Sequence, residues 1–192
     1  MSGEERHFAD IVMWSLRSEL EVQAVSDLHK LPDRAAAIVG AAIIESQILE
    51  ILKQELRNGK TFEQFFVNSS GAGSTLAAKL NVLYMLRLIS KDAKQDLSCI
   101  GDIRNLFAHR LAISSFEHEL VSKKCLELKM VEQFIIDPSQ AVAATGPTLV
   151  MDEANREALK NPRSRFFLSI SCFTHKVSDV LPRLGSDLEP YV

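Results

Sequence analysis

Apolar residues in this chain recur every three or four positions, the spacing of one face of an α-helix. Phe8, Val12, Leu16 and Leu20 follow that rhythm, with Ile11 and Trp14 beside them, and predict a first helix over about 3–28. Leu31-Pro32-Asp33 interrupts it, and Pro32 suits the first turn of the next helix. A second helix is predicted over about 33–58. Its stripe runs Ile38, Ala41/Ala42, Glu45, Ile48/Leu49, Leu52, Leu56, and Asn58-Gly59 ends it. Ala35, Ala36, Ala37, Gly40, Ala41 and Ala42 leave the first half of this helix slim enough for another helix to approach closely.

Phe62, Phe65 and Phe66 predict a short apolar turn, and Val67 to Ser74 a Gly/Ser loop. Ser74 is placed to cap a third helix over about 75–88, with Leu76, Leu80, Leu83 and Leu86/Leu88 on its apolar face. Ser90 is placed to cap a fourth, about 91–110, where Leu97, Ile100, Ile103, Phe107 and Leu111 line up. Asp92 and Asp96 stand near its N-terminus, as the helix dipole prefers. Ser114 or Ser115 opens a fifth stretch to about Lys129. Residues 137–150 read as a loop, with a small strand or hairpin near Phe134–Ile136 and Thr148–Val150. Pro162 then starts a last helix to about 182, carrying Phe166, Phe167, Ile170, Phe173 and Val177. The expected fold is an all-α bundle of five to seven helices, in one domain over residues 1–192.

Composition narrows the function. A net charge of −3 excludes a protein drawn by its overall charge onto nucleic acid or anionic lipid, though a local basic patch remains open. Cys99, Cys125 and Cys172 cannot all pair with one another, and Met1 to Asp10 lacks a signal-peptide pattern. Uncharged stretches fall short of about 18 apolar residues, so no membrane-spanning helix is expected, and the chain reads as cytoplasmic.

The sharpest candidate chemistry is Ile103-Arg104-Asn105-Leu106-Phe107-Ala108-His109. Histidine can move a proton near neutral pH, arginine can hold a phosphate bidentately, and asparagine can orient either. Asn105 and His109 share a helical face with Asp102, whereas Arg104 points about 140° away from His109 on a regular helix. Equally open is a purely structural set, with Asn105 and His109 bonding the following loop. Glu45 interrupts an apolar stripe, and a buried carboxylate needs a partner, for which Arg104 and His109 are the natural candidates. Arg156, Lys160, Arg163 and Arg165 form a basic run, either a solvated face or a patch for nucleic acid or an acidic partner.

Other features carry less. The Ser69–Thr75 loop lacks the Gly-Lys-Ser/Thr ending of a phosphate-binding loop. His118-Glu119 lacks the second histidine of a zinc helix, and Cys172 with His175 lacks companion ligands, so neither metal nor cofactor is expected. The turn at Leu88-Ile89-Ser90 leads into a helix of mixed charge, which reads as a helical hairpin, not a DNA-reading helix-turn-helix.

Three blocks carry a resemblance: Asp33 to Glu45, Leu88-Ile89-Ser90-Lys91-Asp92, and Ile103 to His109, with echoes at Ser115-Phe116-Glu117 and Asn161 to Phe166. Together, over about 33–167, they resemble the bacterial mannitol operon repressor family, whose members are all-helical, cytoplasmic and linked to control of mannitol use. The sequence departs from that pattern at Arg87, where a glycine would be expected before Leu-Ile-Ser. The Arg104-Asn105…His109 block also resembles the signature of the HEPN superfamily. Many HEPN proteins are metal-independent ribonucleases that act as dimers, while others bind nucleotides or proteins. The first resemblance implies a transcriptional regulator that acts through a protein partner or indirect nucleic-acid contact. The second implies a ribonuclease, or an inactive RNA-binding relative, with Arg104 and His109 catalytic and Glu45 and Asn105 orienting them. Both imply a homodimer, for which the slim face of the second helix and the apolar last helix are candidate surfaces.

Overall fold

A computed structural model describes Gln23 and residues 27–136, 149–150 and 153–179, with side chains described for 23, 27–132 and 157–174. The expected first helix, most of the 137–150 loop and the end of the last helix lie outside these residues.

A 3-10 turn, Leu28–Lys30, leads into α1 (Asp33–Glu55). A one-turn α2 (Lys60–Phe62) runs on into a π-helical turn, Glu63–Val67. Then come α3 (Leu76–Met85), α4 (Lys91–His109), α5 (Glu119–Leu126), a 3-10 turn (Met130–Phe134), α6 (Glu153–Lys160) and α7 (Pro162–Asp179). The molecule is the expected all-helical bundle. One β pairing is added, β1 (Ile135–Ile136) with β2 (Leu149–Val150), in register Ile135 with Leu149. It is parallel, so the two segments do not form the hairpin that was one expectation. α6 was not foreseen.

α1 is the central element and packs against α3, α4 and α7. By length and apolarity it could cross a bilayer, contrary to the sequence expectation. Here those apolar residues are accounted for by neighbours on three sides. Its buried face is Ala36, Ala37, Gly40, Ala41, Ile43, Ile44, Gln47, Ile48, Ile51 and Leu52. That face is rotated from the expected stripe: Ile38 and Ala42 are exposed and Glu45 lies at the rim. The chain's slim side is used as its composition suggested, but by α7 of the same chain. A Cβ on Gly40 would stand 3.3 Å from both Ile170 Cγ1 and Phe166 Cε1. The two surfaces expected to meet a second copy therefore face each other.

The caps follow the sequence with one shift. Ser90 Oγ accepts from Ala93 N at the start of α4, as expected. At α3 the cap is Thr75, not Ser74: Thr75 Oγ1 accepts from Ala78 N. α3 ends in a Schellman turn, in which Leu88 N donates to Leu83 O and Arg87 N to Tyr84 O. Arg87 takes φ +59°, the left-handed conformation such a turn requires and glycine adopts without strain. The Gly/Ser loop is locked, not loose: Gly73 N donates to Phe65 O, and a Cβ on Gly71 would sit 2.3 Å from that same oxygen.

Candidate functional site at the end of α4

The Ile103–His109 block forms the last two turns of α4, the most clearly amphipathic of the long helices in its sequence. Ile103 and Phe107 face the core, where Phe107 meets Phe116 edge to face with ring centres 5.0 Å apart. The opposite side faces solvent. There Asp102, Asn105, Leu106, His109 and Arg110 line an open hollow of about 300 Å³, closed on its far side by Lys124 of α5. Asn105 and His109 are exposed. Arg104 lies off the hollow and donates from Nη1 to Asn105 Oδ1 at 2.8 Å. Lys124 Nζ sits 3.2 Å from Asp102 Oδ2 and 3.3 Å from Glu127 Oε2. Hydrogen bonding to Asp102, then to Glu127, holds the Lys124 pKa above its ordinary value. Next to the hollow, Leu111 is 88% exposed.

The position of this helix end is set by a residue the sequence did not single out. Arg34, in the first turn of α1, donates to four carbonyls beyond the end of α4's hydrogen-bond ladder or at it. Nη1 reaches Phe107 O at 2.8 Å, and Nη2 reaches Arg110 O at 3.4 Å, Leu111 O at 3.0 Å and Ile113 O at 2.6 Å. The last carbonyls of a helix lack intrahelical partners and carry partial negative charge, so a guanidinium is suited to them. Its neighbour Asp33 accepts from Phe116 N at 3.0 Å and from Arg163 Nε at 2.8 Å. A signal for Arg34 was available: a cation in the first turn of a helix opposes that helix's own dipole. It must answer some other feature.

Glu45 is paired with a residue of another helix. Its Oε1 accepts from Lys79 Nζ at 2.7 Å, and the same ammonium donates to Ser74 O at 2.7 Å. The ion pair shown for Glu45 is thus with Lys79, whereas Arg104 donates to Asn105; the expected pairing of Glu45 with Arg104 or His109 is not among the hydrogen bonds of the described residues. Lys79 is 5% exposed and was missed. It shares the spacing of the apolar Leu76, Leu80 and Leu83, so a charge there required a buried acid.

The basic run is dispersed rather than a single patch. Arg165 is buried: its Nε and Nη2 donate to Leu128 O, and Nη2 also meets Glu132 Oε1. Arg163 is tied to Asp33 and to the carbonyls of His29 and Leu31, with its guanidinium 4.6 Å from the Phe167 ring centre. Lys160 pairs with Glu157 on the surface. The Arg156 side chain is outside the described residues.

Among the described residues, no cluster of three or more His, Cys, Asp or Glu could hold a metal ion. Burial pushes the Cys99 thiol up to about 12 and the Cys125 thiol higher still, so neither is a thiolate at neutral pH. What the end of α4 offers is a shallow hollow whose lining is mostly apolar, with imidazole, amide and guanidinium groups around it and exposed leucine beside it.

No protein-family model matches the sequence. No curated protein matches it either. The fold is similar to that of a chain in the crystal structure of the MtlR–HPr complex from Escherichia coli. The identity is 17% and the TM-score 0.57, and the likeness covers 84% of this chain and 99% of that one. At this identity the comparison establishes a shared fold.

Proposed function

We propose that this chain is a transcriptional regulator of the mannitol operon repressor kind, which acts by docking a partner protein rather than by reading DNA. The observation that supports it best is the fold shared along nearly the whole length of a protein solved in complex with HPr. The three sequence blocks are where the chain resembles the repressor family, although no family model matches it. The dispersal of the basic run also supports the reading, since Arg163 and Arg165 are committed to groups of this chain. The surface that fits this role is the end of α4, where Asn105, His109 and Arg110 surround a hollow beside exposed Leu111.

HPr is the first partner to test, by isothermal titration with the full chain. The expected result is a saturable complex, weakened about tenfold or more by Arg110→Glu, which corresponds to about 1.4 kcal/mol. No binding to HPr, together with a specific operator shift at physiological salt, would overturn the protein-partner reading. Metal-free cleavage of single-stranded RNA that is lost in His109→Ala would replace it with a ribonuclease.

A further inference from the structure

The last turn of α3 and its C-cap carry three consecutive exposed apolar residues, Tyr84 at 40%, Met85 at 67% and Leu86 at 41%. Runs of this kind are uncommon on a surface without a task. On either side the chain is fully buried, at Leu83 and Ile89, so this is not a loosely packed region. These three side chains face outward from the end of α3, while Leu83 before them and Ile89, beyond the left-handed turn at Arg87, stay in the core. Cations border the patch. Lys91 is exposed on the first turn of α4, and Lys94 Nζ lies 4.9 Å from the centre of the Tyr84 ring. Asp92 is the one acid on that turn.

We infer that this turn is a second docking surface, which takes an acidic segment of a partner protein that carries apolar side chains on one face. The charge of the border selects the partner: two lysines, Lys91 and Lys94, against the one carboxylate of Asp92 favour glutamates and aspartates around an apolar strip. The residue types fit the task. Tyrosine is among the side chains that anchor interfaces, and methionine adapts to varied apolar shapes. The surface is distinct from the hollow at His109. It lies at the opposite end of α4, where Lys91 is eighteen residues from His109, about 27 Å along the helix. A regulator with one docking face at each end of a rigid helix can hold two partners at once.

The inference does not depend on HPr, and its test uses the full chain with a defined probe. The probe is a fluorescein-labelled amphipathic peptide of about four helical turns, with leucines on one face and glutamates on the other. A lysine-for-glutamate counterpart is the control. Anisotropy is expected to show saturable binding of the glutamate peptide and at least tenfold weaker binding of the lysine peptide. Met85→Glu and the double variant Lys91→Glu/Lys94→Glu should each weaken binding about tenfold or more with unchanged thermal melting. Arg110→Glu at the far end should leave it unaltered. No binding of the glutamate peptide, or equal binding by the variants, overturns the assignment. Two other outcomes overturn it as well: binding to phosphatidylserine vesicles in place of the peptide, which makes the face a lipid contact, and a dimer in sedimentation that Met85→Glu dissociates, which makes it a contact between copies.

Discussion

Arg87 holds a backbone conformation that costs any residue with a Cβ on the order of 1 kcal/mol. The residue also makes an interaction besides its turn hydrogen bond, so one substitution would mix two effects. Arg87→Ala and Arg87→Gly separate them: both lose the side chain, and only glycine relieves the backbone. Glycine should therefore melt above alanine by a shift worth about 1 kcal/mol. The same position is where the sequence departs from the mannitol repressor pattern, so the departure was legible but its geometry was not. The Glu45–Lys79 pair gives a second prediction at this scale. Glu45 is 30% exposed and Lys79 6% by side chain. Glu45→Ala strands a buried ammonium and is expected to cost about 3 kcal/mol. Lys79→Met leaves a carboxylate that water can reach, and should cost nearer 1 kcal/mol. Urea unfolding of the two variants checks the order; equal losses would mean the lysine is rehydrated when its partner goes.

Helices and their contacts explain why some elements could be read from sequence and others not. α1 and α4 were placed to within three residues at each end, because a stop signal and a serine cap are local and their spacing is unambiguous. The rotation of α1's buried face was missed. Alanine and glycine count as core or surface only once a neighbour is known, and the neighbour is α7, over a hundred residues away. α6 was missed because it is short and mostly polar, and it is held by packing on α7. Arg165 was read with its charged neighbours as one run, although α7 turns it inward onto Leu128 O. Asp96 illustrates how elements are joined. Its Oδ2 accepts from Lys129 N at 2.8 Å and Met130 N at 2.7 Å, and ties α4 to the chain after α5. Burial nevertheless raises its pKa, against the pull of those two bonds. Asp96→Ala would leave two amides without an acceptor and is expected to cost about 2–3 kcal/mol. Asp96→Asn keeps an acceptor and should lose much less, which thermal melting at neutral pH will show.

At the scale of the molecule, stability should depend on pH through His29. Burial first, and then the nearby charge of Arg163, lowers its pKa below the ordinary 6.5. The fold thus favours the neutral ring, whose edge packs on Phe167 at 4.7 Å between centres. A base with a depressed folded-state pKa contributes stability that is present above the ordinary value and is lost as pH falls below it. Melting temperature is therefore expected to fall between about pH 7 and pH 5, and the fall should shrink in His29→Gln. An identical slope in that variant would place the acid sensitivity elsewhere. The candidate site was legible in part. The Arg-Asn…His block and the shared face of Asp102, Asn105 and His109 could be read from helical spacing. The hold of Arg34 on four carbonyls could not, because its targets follow more than seventy residues later.

Asp33 and Arg34 are adjacent in the chain, yet between them they grip the end of α4, the segment to Phe116 and, through Arg163, the 3-10 turn and the start of α7. Segments joined at one such point cannot fray one at a time. Amides of 106–116 and of the first turn of α7 should then exchange with solvent in a single cooperative opening, at one common protection level, and Arg34→Lys should split that level in two.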